Sequence, residues 1–222
     1  SALQYSTTEG HLPLREYLAK AMNNYGIQHT PDDILITTGS QQALDLIGRM
    51  FIDPGSKVLT GRPTYLGAIQ AWRAYQAQFA TVPLDDDGMQ VEKIESLVRT
   101  DCDIRFIYVL PNFHNPAGTT LPESRRHTLV EIARKHDLII VEDDPYGALR
   151  YEGKSPSPIC ALAPERTLYL GTFSKTLTPG LRIGWVAAPR EIRQQLVLAK
   201  QGADLHTSTF DQMITNDIAQ RG

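Results

Sequence analysis

The chain contains 222 residues, of which 41% are hydrophobic and 21% are charged, and its formal net charge is −3. These values are ordinary for a globular domain with one sizeable core. Because the basic residues are scattered, they form no patch of the kind that binds nucleic acid or a membrane surface, and we expect neither partner.

The cysteines and histidines disfavour a disulfide framework and a metal site. Cys102 and Cys160 lie far apart without a C-x-x-C spacing, which predicts two buried thiols and a reducing cytoplasm. The six histidines form no metal-ligand pattern, so no metal is expected. No apolar run approaches the length of a membrane helix, and the first residues lack the features of an export signal.

Apolar segments of β-type composition alternate with segments of helical period along the chain. This alternation predicts a single α/β domain with a mainly parallel sheet and helices on both faces. The strands are predicted at Ile34–Thr38, Lys57–Thr60, Gln78–Val82, Arg105–Leu110, Leu138–Glu142, Thr167–Leu170 and Ile183–Ala188. Several of them are continuously apolar, as expected when both faces of a strand are covered.

A first helix is predicted where Leu14, Leu18, Ala21 and Tyr25 recur at helical spacing, with Gly26 as the residue that closes it. A second helix is predicted over about residues 41–50.

The sequence Thr120-x-x-Glu123 resembles a capping box, which predicts a third helix that begins there and continues to about His136. The segment Lys154–Pro164, rich in proline and serine, is expected to be an ordered surface loop.

A lysine follows the predicted strand Thr167–Leu170, between small hydroxyl-bearing residues. The segment reads Gly171-Thr172-Phe173-Ser174-Lys175, and Arg182 comes seven positions later. Hydroxyls and an arginine at a strand end can bind an anion, and a lysine amine can form a Schiff base with a carbonyl. The segment therefore suits an aldehyde cofactor that carries a phosphate, such as pyridoxal 5′-phosphate (PLP). A solvated loop lysine is the alternative.

A second candidate segment, Gly39-Ser40-Gln41, follows the strand Ile34–Thr38 and opens a helix. The backbone N–H groups of such a helix end point outward, where a phosphate binds readily. A Gly-Ser helix cap without a ligand is the alternative.

The third candidate segment is Glu142-Asp143-Asp144-Pro145-Tyr146, at the end of the most apolar strand. A carboxylate there is costly to bury without a cation, and a protonated pyridine nitrogen would supply one. Asp143 is favoured because Tyr146, three residues later, can reach the phenolic oxygen of the same ring. A metal-binding Asp-Asp-Pro turn is the alternative.

Two further side chains follow strand ends. Asn115, within the turn 111–118, can donate to a ring oxygen, and Tyr65 can stack on a flat cofactor. An Asx turn for Asn115 and simple packing for Tyr65 are the alternatives. Because open α/β sheets bind ligands at the carboxyl ends of their strands, the coincidence of all these motifs favours one cofactor site.

These motifs resemble the large domain of fold-type I PLP-dependent aminotransferases of class I/II, most similarly the 2-aminoadipate, kynurenine and aromatic aminotransferase branch. The resemblance rests on residues 3–10 (Leu-Gln-Tyr-Ser-Thr-Thr-Glu-Gly), 142–146 and 171–175, and covers essentially the whole chain. It implies a three-layer α/β/α domain of the PLP-transferase type, with a mainly parallel seven-stranded sheet containing one antiparallel strand. It also implies that residues 1–222 are the PLP-binding large domain, without the N-terminal segment and C-terminal small domain of relatives.

The resemblance implies a role for each candidate residue. Lys175 is the Schiff-base lysine, Asp143 pairs with the pyridine nitrogen, and Tyr65 stacks on the ring. Tyr146 and Asn115 bind the ring hydroxyl. The phosphate site comprises Gly39, Ser40, Gln41, Thr172, Ser174 and Arg182.

The resemblance further implies a homodimer, because Tyr5 matches a tyrosine that reaches the phosphate of the neighbouring subunit. The implied activity is ping-pong amino transfer from an L-amino acid to a 2-oxo acid such as 2-oxoglutarate, in which the amine of Lys175 acts as general base and then acid. The arginine that clamps the substrate carboxylate belongs to the small domain of relatives, outside these residues.

Two other functions share these features. One is the PLP-sensing effector domain of a winged-helix transcription regulator, although such domains tend to have Glu-Asp-Asp-Tyr-Asp where this chain has Glu-Asp-Asp-Pro-Tyr at 142–146. The other is a PLP lyase or decarboxylase, since the same residues can support cleavage of other bonds at Cα.

Overall fold

The computed structural model describes residues 4–101 and 103–221, in which eight strands form one central sheet. They are β1 (Ile34–Thr38), β2 (Lys57–Arg62), β3 (Gln78–Asp85), β4 (Gly88–Met89), β5 (Ile104–Val109), β6 (Ile139–Asp143), β7 (Thr167–Thr172) and β8 (Ile183–Ala187). Their order across the sheet is β1-β8-β7-β6-β5-β2-β3-β4. All seven predicted strands are present.

The sheet is mainly parallel, as predicted. Strands β3, β2, β5, β6 and β7 run parallel to one another, whereas β8 is antiparallel to both of its neighbours, β1 and β7. The two-residue β4 pairs antiparallel with β3 and was not predicted, because two residues show no periodicity. As a result, β1, β2, β3, β5, β6 and β7 end at one edge of the sheet, where β8 begins.

Helices cover both faces of the sheet. In the described residues they are α1 (Leu12–Asn23), α2 (Gly39–Phe51), α3 (Leu66–Arg73), α4 (Ile94–Thr100), α5 (Glu123–Lys135), α6 (Ile159–Leu162), α7 (Arg190–Gln201) and α8 (Thr209–Arg221). Alternate residues of each strand point to opposite faces. Leu35 of β1 packs in one cluster with α2, α3 and α7, whereas Ile34 and Ile36 pack against α1. The three-layer α/β/α architecture is confirmed.

The first predicted helix is present as α1, with Leu14 and Leu18 fully or almost fully buried. Gly26 (φ +84°) closes its end, and the N–H of the next residue, Ile27, donates to the carbonyl of Met22. The helix ends at Asn23, before the predicted position of Tyr25, which is about half exposed.

The predicted capping box is also wrong. The hydroxyl of Thr120 accepts the N–H of Phe113, and the carboxylate of Glu123 accepts the N–H of Ser157, so neither caps α5. The segment Lys154–Pro164 is not all loop, since it contains α6. Cys160 is buried as predicted, whereas Cys102 lies outside the described residues.

Candidate active site

A cavity of about 330 Å³ lies at the edge of the sheet where the parallel strands end. Ten of the side chains predicted to form a cofactor site line it, and they come from segments that are far apart in sequence. These ten are Ser40, Gln41, Tyr65, Asn115, Asp143, Tyr146, Thr172, Ser174, Lys175 and Arg182. Ser40 and Gln41 lie in the first turn of α2, and Tyr65 immediately precedes α3.

Asp143 is the deepest ionisable group of the cavity, with only 3% of the residue exposed. Its carboxylate accepts a hydrogen bond of 2.7 Å from the hydroxyl of Tyr108, and within residues 4–101 and 103–221 it forms no ion pair. Burial raises the pKa of Asp143 from 3.8 to about 6, and the adjacent Asp144 adds to the rise, while the bond from Tyr108 opposes it. The site therefore lacks a cation beside this carboxylate.

Lys175 lies in the turn that follows β7 and is solvent-exposed, although its side chain lines the cavity. Its Nζ atom lies 5.7 Å from the centroid of the Tyr146 ring, a geometry that permits a weak cation–π contact. Since no hydrogen bond or salt bridge ties this amine to another described residue, it is available to a molecule in the cavity.

An anion-binding arrangement occupies another part of the cavity. Gly39 (φ +73°) opens α2, and a Cβ at this position would lie 2.5 Å from Nη2 of Arg182. Only glycine permits this approach of the guanidinium to the helix end. The N–H of Ser174 donates to the hydroxyl of Thr172, which places both hydroxyls together. A helix N-terminus, two hydroxyls and an arginine are well suited to a phosphate.

Tyr65 and Tyr146 supply aromatic surface to the cavity. Burial raises the pKa of Tyr65, and the charge of Asp143 adds to this rise, whereas Arg182 opposes it. Gly67 leaves room for the Tyr65 ring, because a Cβ there would lie 2.5 Å from it. The phenol of Tyr65 is therefore neutral at physiological pH, and the rings of Tyr65 and Tyr146 are both available for stacking.

Tyr5 does not join the cavity within this chain. It is 83% exposed, and its ring meets His206 edge-on at 5.9 Å between ring centroids. Its predicted contact concerns a second subunit and stays a prediction.

The sequence did not reveal the buried side chains that hold Asp143 and the loops of the cavity in place by hydrogen bonds. Tyr108 was missed as the partner of Asp143. Arg126 is fully buried and donates to the carbonyl of Pro111 and to the side chain of Asn112, which in turn donates to Asp144. These bonds join the loop that carries Asn115 to the loop that carries Tyr146. A buried arginine in an amphipathic helix gives no sequence signal of this role.

Glu142, one residue before Asp143, faces the opposite side of the sheet. Its carboxylate accepts the N–H groups of Ile159 and Cys160 at the start of α6. Burial raises the pKa of Glu142 to about 7, and the nearby Asp144 adds to the rise.

Residues 4–101 and 103–221 were searched for clusters of metal ligands and for membrane-spanning helices. No group of three or more potential metal-ligating side chains occurs there. None of the helices in this part of the chain combines the length and apolar character needed to cross a bilayer.

The fold and the cavity together define a PLP-dependent transferase domain of fold type I. The family model described as "Aminotransferase class I and II" matches residues 1–220, and the chain belongs to this family. The family predicted from the sequence is thus confirmed, and it indicates PLP as the cofactor. The cavity fits this molecule, because it offers an amine, a cradle for phosphate and a buried carboxylate without a cation.

Relatives from the predicted branch are similar over the whole chain. Aromatic-amino-acid aminotransferase 1 of Thermococcus litoralis is 51% identical, and the match covers 100% of this chain and 54% of that protein. The 2-aminoadipate transaminase of Thermus thermophilus is 44% identical, with 100% and 55% covered. The crystal structure of Pyrococcus horikoshii kynurenine aminotransferase superposes with a TM-score of 0.95 at 47% identity, covering 100% of this chain and 56% of that one.

The chain spans about half the length of these relatives. An uncharacterized HTH-type transcriptional regulator of Bacillus subtilis also matches all of this chain, at 35% identity over 46% of its own length.

Proposed function

We propose that the full-length protein is an aminotransferase that moves the amino group of an L-amino acid to a 2-oxo acid such as 2-oxoglutarate. The observation that carries this proposal is the buried Asp143, which has no cation beside it and shares one cavity with the available amine of Lys175. The names of the relatives, which specify aromatic amino acids, 2-aminoadipate and kynurenine, support a large side chain on the amino-acid donor.

When bound, PLP supplies an aldehyde that forms a C=N link with an amine and a ring that withdraws electrons from the substrate Cα. Asp143 would keep a proton on the ring nitrogen through its negative charge. Tyr65 would stack on the ring, and Tyr146 and Asn115 would bind its hydroxyl. The residues proposed to hold the phosphate are those of the anion-binding arrangement: Gly39, Ser40, Gln41, Thr172, Ser174 and Arg182.

Lys175 would have two tasks. Its Nζ atom would hold the resting cofactor covalently and would then accept the proton that leaves the substrate Cα. Because the amino acid and the oxo acid would occupy the same cavity in turn, we expect ping-pong kinetics.

We further propose a homodimer in which Tyr5 of one subunit reaches the phosphate bound to the other. The exposure of this tyrosine supports the proposal, since an 83% exposed ring is free to contact a second chain. A cytoplasmic location, expected from the cysteine usage, stays a prediction.

The full-length protein, mixed with PLP, candidate L-amino acids and 2-oxoglutarate, should produce glutamate and show the absorbance of a lysine-linked cofactor. Lys175→Ala should abolish both, because it removes the amine that holds the cofactor and moves the proton. Lys154→Ala, at an exposed lysine outside the cavity, is the matched control and should behave as the unsubstituted protein. Well-folded protein that lacks both signals would contradict the proposal.

The second candidate is a PLP-sensing regulator domain, which is favoured by the similarity to the Bacillus subtilis protein. The same assay separates the two, because a sensing domain would give the absorbance without glutamate. Release of carbon dioxide or of a cleaved side chain, instead of glutamate, would identify a decarboxylase or a lyase.

A further inference from the structure

Thr38 precedes α2 at the position where a threonine side chain usually caps a helix, but it makes no such bond. Its backbone N–H donates to Oε1 of Gln42, four residues later, at 2.8 Å, so a side chain of the first turn reaches back to the residue before the helix. The hydroxyl of Thr38 donates instead to Oδ2 of Asp204 at 3.1 Å and lies 3.0 Å from the hydroxyl of Thr207. The first N–H groups of α2 are therefore left without this acceptor.

Lys200 of α7 fixes the groups that turn the Thr38 hydroxyl away. Its side chain is fully buried, and Nζ donates to Asp204 at 2.7 Å, to Thr207 at 3.0 Å and to Oε1 of Gln42 at 2.6 Å. An ammonium group is costly to bury, and these acceptors offset that cost. We call Thr38, Gln42, Lys200, Asp204 and Thr207 the α2-end cluster.

The hydrogen bonds of the cluster form a chain in which each group donates to the next. Lys200 donates to Thr207, Thr207 can donate to Thr38, and Thr38 donates to Asp204. The hydroxyl of Thr38 is thus occupied as donor and as acceptor on the side away from the helix end. Ser40 and Gln41, in the first turn of α2, line the cavity.

We propose that the α2-end cluster keeps the N-terminus of α2 open for the cofactor phosphate by holding the hydroxyl of Thr38 away from it. The proposal rests on the proposed PLP site. Thr38, Lys200 and Asp204 are positioning residues, since they act through the helix end. The Lys200–Asp204 pair has no net charge, so the cluster acts by orientation rather than by attracting the phosphate.

The decisive variant is Asp204→Ala in the full-length protein, with dissociation constants measured for PLP and for pyridoxal, which lacks the phosphate. Loss of the acceptor frees the Thr38 hydroxyl to cap α2 in competition with the phosphate. PLP should then bind about fivefold more weakly, the equivalent of about 1 kcal/mol, while pyridoxal is unaffected. Charge alone predicts the opposite sign, because the variant removes a negative charge near a phosphate site.

A second substitution tests the role of the hydroxyl itself. Thr38→Val removes the competing group, so the double variant Asp204→Ala/Thr38→Val should regain the PLP affinity of the unsubstituted protein. Arg49→Met is the matched control, because Arg49 joins α2 to the carbonyl of Ala199 in α7 without touching the helix end. It should leave both dissociation constants unchanged. If Asp204→Ala does not fold, Thr207→Val should give a PLP-selective loss without a change of charge.

Three results would overturn the inference. They are equal weakening of PLP and pyridoxal, tighter binding of PLP, and failure of Thr38→Val to restore affinity. A full-length protein that binds neither compound would instead contradict the proposed function, and the inference with it.

Discussion

Asp143 and Lys175 occupy contrasting environments in the same cavity. The carboxylate is almost fully buried and receives one hydrogen bond from a neutral tyrosine, whereas the amine is exposed and forms no hydrogen bond or ion pair with the described residues. A buried carboxylate without a cation lowers the stability of the empty protein. The protonated ring nitrogen of the proposed cofactor would offset that cost. Cofactor binding should therefore stabilise the protein through Asp143.

Asp143→Asn tests this link directly. The substitution should reduce amino transfer by about 100-fold or more, because the ring nitrogen loses its charged partner. The cofactor-free variant should melt at the same temperature as the unsubstituted protein or higher, since a buried charge has been removed. Asp137→Asn, at a highly exposed carboxylate, is the control for both measurements. Activity that survives Asp143→Asn would contradict the assigned role.

The pH dependence of stability follows from the same burial. The folded-state pKa values of Asp143, about 6, and Glu142, about 7, lie above their unfolded values near 4. Between these limits the folded state binds more protons at these two carboxyls, so their contribution to the free energy of unfolding should fall as pH rises from about 4 to 7. Urea denaturation of cofactor-free protein should show this fall, and Asp143→Asn should make it shallower. An unchanged slope in the variant would contradict the raised pKa of Asp143.

At the scale of elements, the phosphate end of the site depends on close contact between α2 and the start of β8. Gly39 admits the guanidinium of Arg182, and Gly184 of β8 admits the backbone of Ser40, since a Cβ there would lie 2.5 Å from its nitrogen. These glycines bring two segments, 145 residues apart in sequence from Gly39 to Gly184, into direct contact. The helix end and the arginine can therefore face one anion.

Gly39→Ala and Gly55→Ala form a matched pair for this contact. Both glycines have positive φ, but a Cβ at Gly55 meets no atom within 4 Å, whereas one at Gly39 meets Arg182. Both variants should lose about 1–2 kcal/mol of unfolding free energy through backbone strain. Only Gly39→Ala should also weaken PLP binding, by about tenfold, as Arg182 is displaced. Equal PLP affinity in the two variants would contradict the arrangement.

At the scale of the whole molecule, the strands were predictable because each is an apolar run bounded by turn residues. The site was also predictable, because the carboxyl ends of parallel strands lie at one edge of the sheet. The residues expected there, on this basis, were Lys175, Asp143, Asn115 and Tyr65. The prediction of a capping box at Thr120 was wrong because the carboxylate of Glu123 accepts a hydrogen bond from a residue distant in sequence, the N–H of Ser157.

Tyr108 could not be predicted, because its role depends on pairing between strands. It lies opposite Val141 in the parallel pair of β5 and β6, and Asp143 is two residues beyond Val141 on the same face. This register brings the phenol to the carboxylate, and residue type alone does not specify it. The α2-end cluster could not be predicted from the sequence for the same reason, since Thr38 and Asp204 come into contact only in the folded chain.

Chemical trapping of the cofactor identifies the lysine to which it is attached. The full-length protein is loaded with PLP, reduced with borohydride and digested, and the labelled peptide is located by mass spectrometry. We expect a stable pyridoxyl group on Lys175 and on no other lysine, because within residues 4–101 and 103–221 Lys175 is the one lysine that lines the cavity with Asp143. A stoichiometric label on a different lysine, or tightly bound cofactor with no reducible link to the protein, would contradict it.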